Sequence, residues 1–373
     1  VNPTIKELER LVGFDTVSSR PVTPLVAYLE ERLTRLGFRT ETVGAREGKR
    51  SLIATAGPPT TEGLTISGHL DVVPVEGQPW TTDPFRLTER AGRLYGRGAA
   101  DMKGFIAATL TALEALPIRE LRQGLALVWT CDEEVGCHGS AEVAQWLSSA
   151  GRTLPTACLI GEPTGFAVMR MHAGHVQVTI DLQGEAAHSS APELGVNAIE
   201  AAATLVLRLT ALQRQLREEA DPSLPMERPW VVLNVAMIHG GVAINLVPDH
   251  CRVEVGYRPL PGTSPDVVFR RIAALLPEGV EAHAHLGPVV PSLLTPDRTP
   301  LGELLAGFAR PGPAAAAFAT DGGNLARAGL APLVFGPGQI EVAHKADEHI
   351  ELGDLLRAVD VIGAIVHARC VST

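Results

Sequence analysis

Cysteine is scarce in this chain of 373 residues: Cys131, Cys137, Cys158, Cys251 and Cys370 are all it has. The number is odd and the spacing irregular, which argues against a disulfide framework and for a reducing, cytoplasmic setting. Lysine is scarcer still, since among 32 basic residues only Lys6, Lys49, Lys103 and Lys345 are lysine. The net charge is −10. Such a chain lacks the basic surface that phosphate backbones require, so nucleic acid is not an expected partner. No uncharged apolar run reaches about 18 residues, so no membrane span is expected. The stretch VNPTIKELERLVGFDTVSS has no basic start followed by an apolar core and does not read as a signal peptide. Internal repeats and low-complexity tracts are absent too.

What is present is ordinary globular composition, 45% hydrophobic and 20% charged, at a length that suits two domains or one with a large insertion. Apolar spacing predicts helices over 4–13, 22–37 and 103–116. Short apolar runs at 64–67, 125–130, 157–160 and 331–335 read as buried strands. Their alternation with helix predicts an α/β layered domain around a largely parallel sheet. From about 172 to 286 the pattern changes to β-α-β-β-α-β, the order of a ferredoxin-like unit, with helices over 197–219 and 265–276. The predicted organisation is therefore 1–171 and 288–373 as one domain, with 172–287 inserted. The stretches 58–63 and 310–317 read as loops.

Ligands of α/β sheets gather at the carboxyl ends of the strands. After LTIS come His69 and Asp71, and after LALVWT come Cys131, Asp132, Glu133 and Glu134. Glu162 follows ACLI, a segment containing His344 follows APLVF, and Asp101 precedes the 103–116 helix. One acidic residue after a strand is usually a turn or cap residue, and one histidine is usually hydrogen-bonded structure. Five such positions at one predicted sheet edge are harder to explain that way. Mixed imidazole and carboxylate ligands suit zinc or a similar divalent ion, and one carboxylate can bridge two ions. In His69-x-Asp71, the carboxylate can hold the non-ligating ring nitrogen. Neighbours Glu133 and Glu134 cannot project the same way from an extended segment, so one can bind metal while the other faces a reacting water. Cys131, Cys137 and His138 lack the second cysteine pair that a zinc knot needs. GRGAADMKG lacks the GxGxxG spacing, and no GxSxG elbow occurs. His239, His250, His283 and His285 read as structural or surface residues.

In this order, SGHLDVVP (67–74), WTTDPF (80–85), LYGRGAADMKG (94–104), DEEVG (132–136), GEPT (161–164), GEAAHSSAPELGVNAIE (184–200), RPLPG (258–262) and GPGQIEVAHKADE (336–348) span nearly the whole chain. Together they resemble the dinuclear zinc metallopeptidase and deacylase family of acetylornithine deacetylase, succinyl-diaminopimelate desuccinylase, aminoacylase and glutamate carboxypeptidase. The resemblance implies a zinc-peptidase catalytic domain with an inserted lid and dimerisation domain. It implies two divalent ions, zinc first and cobalt second. His69 and Glu162 would bind one, Glu134 and His344 the other, and Asp101 would bridge them. Asp71 would orient His69, Glu133 would be the general base, and the Asp101–Met102 peptide bond would be cis. His188 would reach a partner chain's site and donate to the oxyanion, which makes a homodimer through the lid the expected assembly. Arg258 would grip the substrate carboxylate, with Asn245 as a second contact. Gly322 and Gly323, in ATDGGNL, read as a substrate-pocket loop.

Within that family RMHAGH (170–175), AHSSAPELGVNAIE and GPGQIEVAHKADEHIEL most resemble the acetylornithine deacetylase pattern, with Ala173 where that pattern has lysine. The implied reaction is N-acetylornithine to ornithine and acetate, a step of arginine biosynthesis. Acetylcitrulline, succinyl-diaminopimelate, other N-acyl amino acids and dipeptides are the alternative substrates. A catalytically silent binding protein on the same scaffold and a dimetal phosphoesterase are the readings of other classes.

Overall fold

A computed structural model describes residues 2–149 and 151–371. In α1 (Pro3–Val12) the Asn2 side chain accepts the Thr4 N–H at 2.8 Å, and proline occupies the first turn, where a missing N–H costs nothing. The next helix, α2 (Thr23–Leu36), ends at Gly37 with φ +104°, a left-handed cap that favours glycine. Then come β1 (Arg39–Val43), β2 (Ser51–Ala56), β3 (Gly63–His69), α3 (Lys103–Glu114), β4 (Gly124–Thr130), α4 (His138–Leu147) and β5 (Ala157–Ile160). The middle of the chain holds β6 (His175–Gln183), α5 (Ala198–Glu218), β7 (Val232–Gly240), β8 (His250–Arg258), α6 (Pro265–Ala273) and β9 (Glu281–Val290). The last part holds α7 (Pro300–Ala306), α8 (Gly322–Arg327), β10 (Ala331–Val334) and α9 (Leu352–Val366). Two compact units result: His172–Ser292 with Ala317–Ala319 is one, and the remainder is the other.

The larger unit is built on a six-stranded sheet of order β1-β2-β4-β3-β5-β10. Four consecutive strands, β4, β3, β5 and the far edge strand β10, are parallel, as their apolar runs predict. The sheet is not parallel throughout, because β1 and β2 add two antiparallel strands at one edge. Sequence reading missed both. The side chains of β1 alternate too weakly to mark a strand, being mostly exposed on both faces. Every residue of β3 and β4 is buried, so the apolar runs have no polar alternation. One buried cluster packs this unit: Leu8, Leu11, Leu29 and Leu33 belong to the same core as Ile106, Leu110 and Leu113 of α3. The stretch 310–317, read as a loop, contains the short strand Ala315–Ala316.

The smaller unit has a four-stranded antiparallel sheet of order β7-β8-β6-β9, the ferredoxin-like arrangement. In β6 the alternate residues Val176, Val178, Ile180 and Leu182 are buried, in one cluster with Ala202, Leu205 and Leu209 of α5. Asn197 caps α5 by accepting the N–H groups of Ile199 and Glu200. Among the described residues, no helix is long and apolar enough to cross a membrane.

Candidate metal centre

The parallel register brings the strand ends level. His69 closes β3 opposite Thr130, the last residue of β4, and Ile160 of β5 pairs with Val334 of β10. The segments that carry Glu133 and Glu134, Glu162, and His344 therefore leave the same edge of the sheet. Asp101 stands just before α3, and its bond to Met102 is cis, as the family resemblance implies.

Three of these side chains, His69, Asp101 and Glu162, bring ligand atoms within 4.8 Å of one another, and Asp101, Glu134 and His344 do the same. Asp101 belongs to both groups. Its Oδ1 lies 2.9 Å from His69 Nε2 and its Oδ2 3.2 Å from His344 Nε2, while Glu134 Oε2 lies 3.0 Å from the same His344 nitrogen. Glu133 is in neither group.

The electrostatics show what this cluster lacks. Burial pushes the Glu162 carboxyl well above the usual carboxylate range, and the nearby Asp101 adds to it. Glu133 is raised in the same direction by burial, and the neighbouring Glu162 and Glu134 outweigh part of the attraction of His69. Burial and Asp101 also raise Glu134. Burial opposes the charge of Asp101 as well, but hydrogen bonds from His344 and His69 hold that carboxyl below the usual range. Hydrogen bonds to Asp101 and Glu134 push His344 up to about 10. No lysine or arginine stands among the groups that most influence Glu133, Glu134 or Glu162. Buried carboxylates crowded without a cation are costly, and two imidazoles with three carboxylates form a donor set suited to divalent ions. The residues fit two metal ions.

The surroundings differ from the expectation at one point. Asp71 holds His69 through its backbone carbonyl, 2.8 Å from Nδ1, and its carboxylate stands 3.9 Å from that nitrogen. The carboxylate instead accepts the N–H groups of Glu133 at 3.1 Å and Glu134 at 3.3 Å, and the Ser18 hydroxyl at 2.8 Å. One residue thus orients the imidazole with its main chain and the glutamate turn with its side chain. Asp132 is buried, with φ +55°, and pairs with Arg46 and Lys49, a local role. The thiol of Cys137 lies 3.6 Å from Glu133 Oε1, and all five cysteines are free and buried.

Gly322 and Gly323 correct the loop expectation. They open α8 and are buried, and a Cβ on Gly322 would come within about 3.0 Å of Leu293 and Thr320 side chains. Packing accounts for that glycine. A six-residue helix is too short to show a helical period, and two glycines read locally as a turn. Sequence reading also passed over their neighbours. Asp321 accepts from Thr130 Oγ1 at 2.5 Å, and Asn324 donates to the Cys137 carbonyl and to Ser140 Oγ, so α8 grips the turn that carries Glu133.

Gly161 shows how tightly Glu162 is held. A Cβ there would lie 2.0–2.2 Å from the Phe105 ring, which is itself buried. Gly161→Ala is expected to cost about 1–3 kcal/mol of stability through overpacking. Urea unfolding measures it, and an unchanged midpoint would contradict the close packing.

The other three candidates lie in the smaller unit. His188 is exposed and bridges Leu246, and the Ser189 N–H donates to the Asn245 carbonyl, so His188 and Asn245 are neighbours. Nδ1 of His188 accepts the Ser190 N–H at 3.2 Å and lies 2.7 Å from the Ser190 hydroxyl. An acceptor Nδ1 leaves the ring proton on Nε2, which can donate outward. Arg258 ends β8 and pairs with no carboxylate among the described residues. The buried His172 is lowered to about 4, by burial first and by the charge of Arg258 in addition.

Residues 65–222 match peptidase family M20/M25/M40, and residues 170–283 match the peptidase dimerisation domain. The acetylornithine deacetylase of Myxococcus xanthus is 34% identical over 97% of this chain and 96% of its own length. The M20 family metallo-carboxypeptidase Sso-CP2 from Sulfolobus solfataricus has the same fold, with TM-score 0.77 at 19% identity, covering 98% of this chain and 99% of that one. The YXEP protein of Bacillus subtilis, a dinuclear metal binding peptidase from M20 family, gives a TM-score of 0.69 at 15% identity, with 97% of each chain covered.

Proposed function

Because the chain belongs to peptidase family M20/M25/M40, we propose that it is a dimetal deacetylase of N-acyl amino acids, with N-acetylornithine as substrate and ornithine and acetate as products. Membership makes it a metal-dependent hydrolase. The observation that carries the finer reading is the pair of ligand groups sharing Asp101, with Glu133 beside both and in neither. The curated relatives named acetylornithine deacetylase support the substrate class.

In this reading His69 and Glu162 hold one ion, Glu134 and His344 the other, and Asp101 both. The ions, zinc or cobalt, when bound, polarise the amide carbonyl and lower the pKa of water. Glu133 takes the proton of the attacking water and delivers it to the leaving amine. Arg258 receives the substrate α-carboxylate as a planar, unpaired guanidinium, and Asn245 is the second polar contact. His188 of a second chain donates Nε2–H to the oxyanion of the tetrahedral intermediate. The homodimer forms through the smaller unit, which matches the dimerisation domain and exposes Val242, Ile244 and Leu246 next to the edge strand β7.

A substrate panel tests the reading. The metal-loaded protein is assayed with N-acetylornithine, N-acetylcitrulline, N-acetylmethionine, succinyl-diaminopimelate, dipeptides and a generic phosphate ester. N-acetylornithine is expected to give the highest kcat/KM. Ala173, in place of the lysine of the deacetylase pattern, makes the other amides the real competitors. A faster amide replaces the substrate assignment. Phosphate ester hydrolysis alone, or no turnover, overturns the deacetylase reading.

A further inference from the structure

Arg97 and Glu348 are both 1% exposed, which is rare for an ion pair, and neither belongs to a ligand group. Arg97 Nη1 donates to Glu348 Oε2 at 2.7 Å across 251 residues of sequence. The other carboxylate oxygen, Oε1, accepts the N–H groups of Ala100 and Asp101, each at 3.0 Å. The guanidinium reaches the opposite way as well. Nη1 donates to the Lys345 carbonyl at 3.3 Å, and Nη2 to the Pro74 carbonyl at 3.3 Å and to Gln78 Oε1 at 2.5 Å. Gln78 in turn donates from Nε2 to the His344 carbonyl at 3.0 Å. The guanidinium lies over the Trp80 ring, 5.0 Å from its centroid, which fixes its plane.

Burying two charges is a poor way to add stability, since desolvation offsets most of their attraction and a packed apolar pair does as well. An apolar pair could not grip backbone polar groups, and here the pair holds the Ala100 and Asp101 amides and the Lys345 carbonyl, in the segments that carry Asp101 and His344, together with segment 74–80. We propose that the Arg97–Glu348 pair is a positioning device that locks the Asp101 backbone to the His344 loop, and so sets the spacing of the Asp101–Glu134–His344 group. It acts through Asp101 and His344 and touches no reacting atom. The geometry sets three separate segments, 74–80, 97–101 and 344–348, around one guanidinium.

The proposal rests on the dimetal reading, and the test separates the two. Metal-free protein is titrated with Co2+ and followed by calorimetry and by visible absorption. The unaltered chain is expected to take two ions in two resolvable steps. In Glu348→Gln and Arg97→Lys one step is expected to weaken by roughly 10–100-fold, with a shifted absorption band, as for other groups that orient metal ligands. Arg310→Gln is the control, because it breaks the Arg310–Asp354 pair of the same unit and touches neither ligand segment. It is expected to leave both steps unchanged. Should Glu348→Gln not fold, Arg97→Lys, which keeps the charge and loses the planar fork, carries the test. Wild-type binding in the folded variants overturns the proposal, and so does equal weakening in Arg310→Gln. If the unaltered chain binds no second ion, the dimetal reading itself fails and the positioning role falls with it.

Discussion

Glu133→Gln is expected to lower kcat by roughly 10²–10⁴-fold while both metal ions stay bound. Both glutamates sit in the turn after β4. The carboxylate of Asp71 accepts the N–H groups of both Glu133 and Glu134, so the two backbones are held together while the two side chains diverge. Glu134 turns to His344 and Asp101, and Glu133 joins neither ligand group. Burial, with Glu162 and Glu134 close by, raises the proton affinity of Glu133, which is what a base that takes a proton from water requires. The glutamine keeps the shape and loses the base. Elemental analysis beside steady-state kinetics checks the result. Full activity would sink the base assignment, and loss of an ion would make Glu133 a ligand instead.

The second large effect concerns His188. His188→Ala is expected to lower kcat by roughly 10²–10³-fold, the size of one oxyanion donor, with little change in KM. Its Nδ1 accepts the Ser190 N–H, which leaves the ring proton on Nε2 as a donor. The exposed position offers no packing reason for so large a loss. The cross-chain part has its own measurement. Inactive Glu133→Gln and His188→Ala proteins are mixed and allowed to exchange subunits. If His188 acts in the partner's site, the mixed dimer contains one site with an intact Glu133 and an intact His188, and activity returns. If His188 acts within its own chain, both sites of the mixed dimer are damaged and the mixture stays inactive. Size-exclusion chromatography of His188→Ala checks that the dimer survives.

The gathering of the candidate ligands was legible because parallel strands end at one edge, so chemical residues placed after successive apolar runs must gather. His69, Asp101, Glu134, Glu162 and His344 all follow that rule or stand at the start of the intervening helix. The ferredoxin-like unit was legible for a related reason: β6 alternates with period two and α5 begins with a capping asparagine. The edge strand β1 was not legible, because a mostly exposed strand carries little hydrophobic signal. Nor were the partners of Asp71. Spacing alone suggested a carboxylate on His69, and the fold gave that nitrogen a carbonyl.

By itself, then, the sequence determined where the parallel strands end, which candidate ligand types follow them and that one of two neighbouring glutamates can stay off a metal. Those features are local, set by hydrophobic period and by residue chemistry at a strand terminus. Only the tertiary structure decided which buried polar groups meet: Asp71 with the amides of 133 and 134, Asp321 with Thr130, and Arg97 with Glu348 across 251 residues. The physical reason is that a buried donor or acceptor must find a partner once water is gone, and which partner is within reach is known only after the chain has closed on itself.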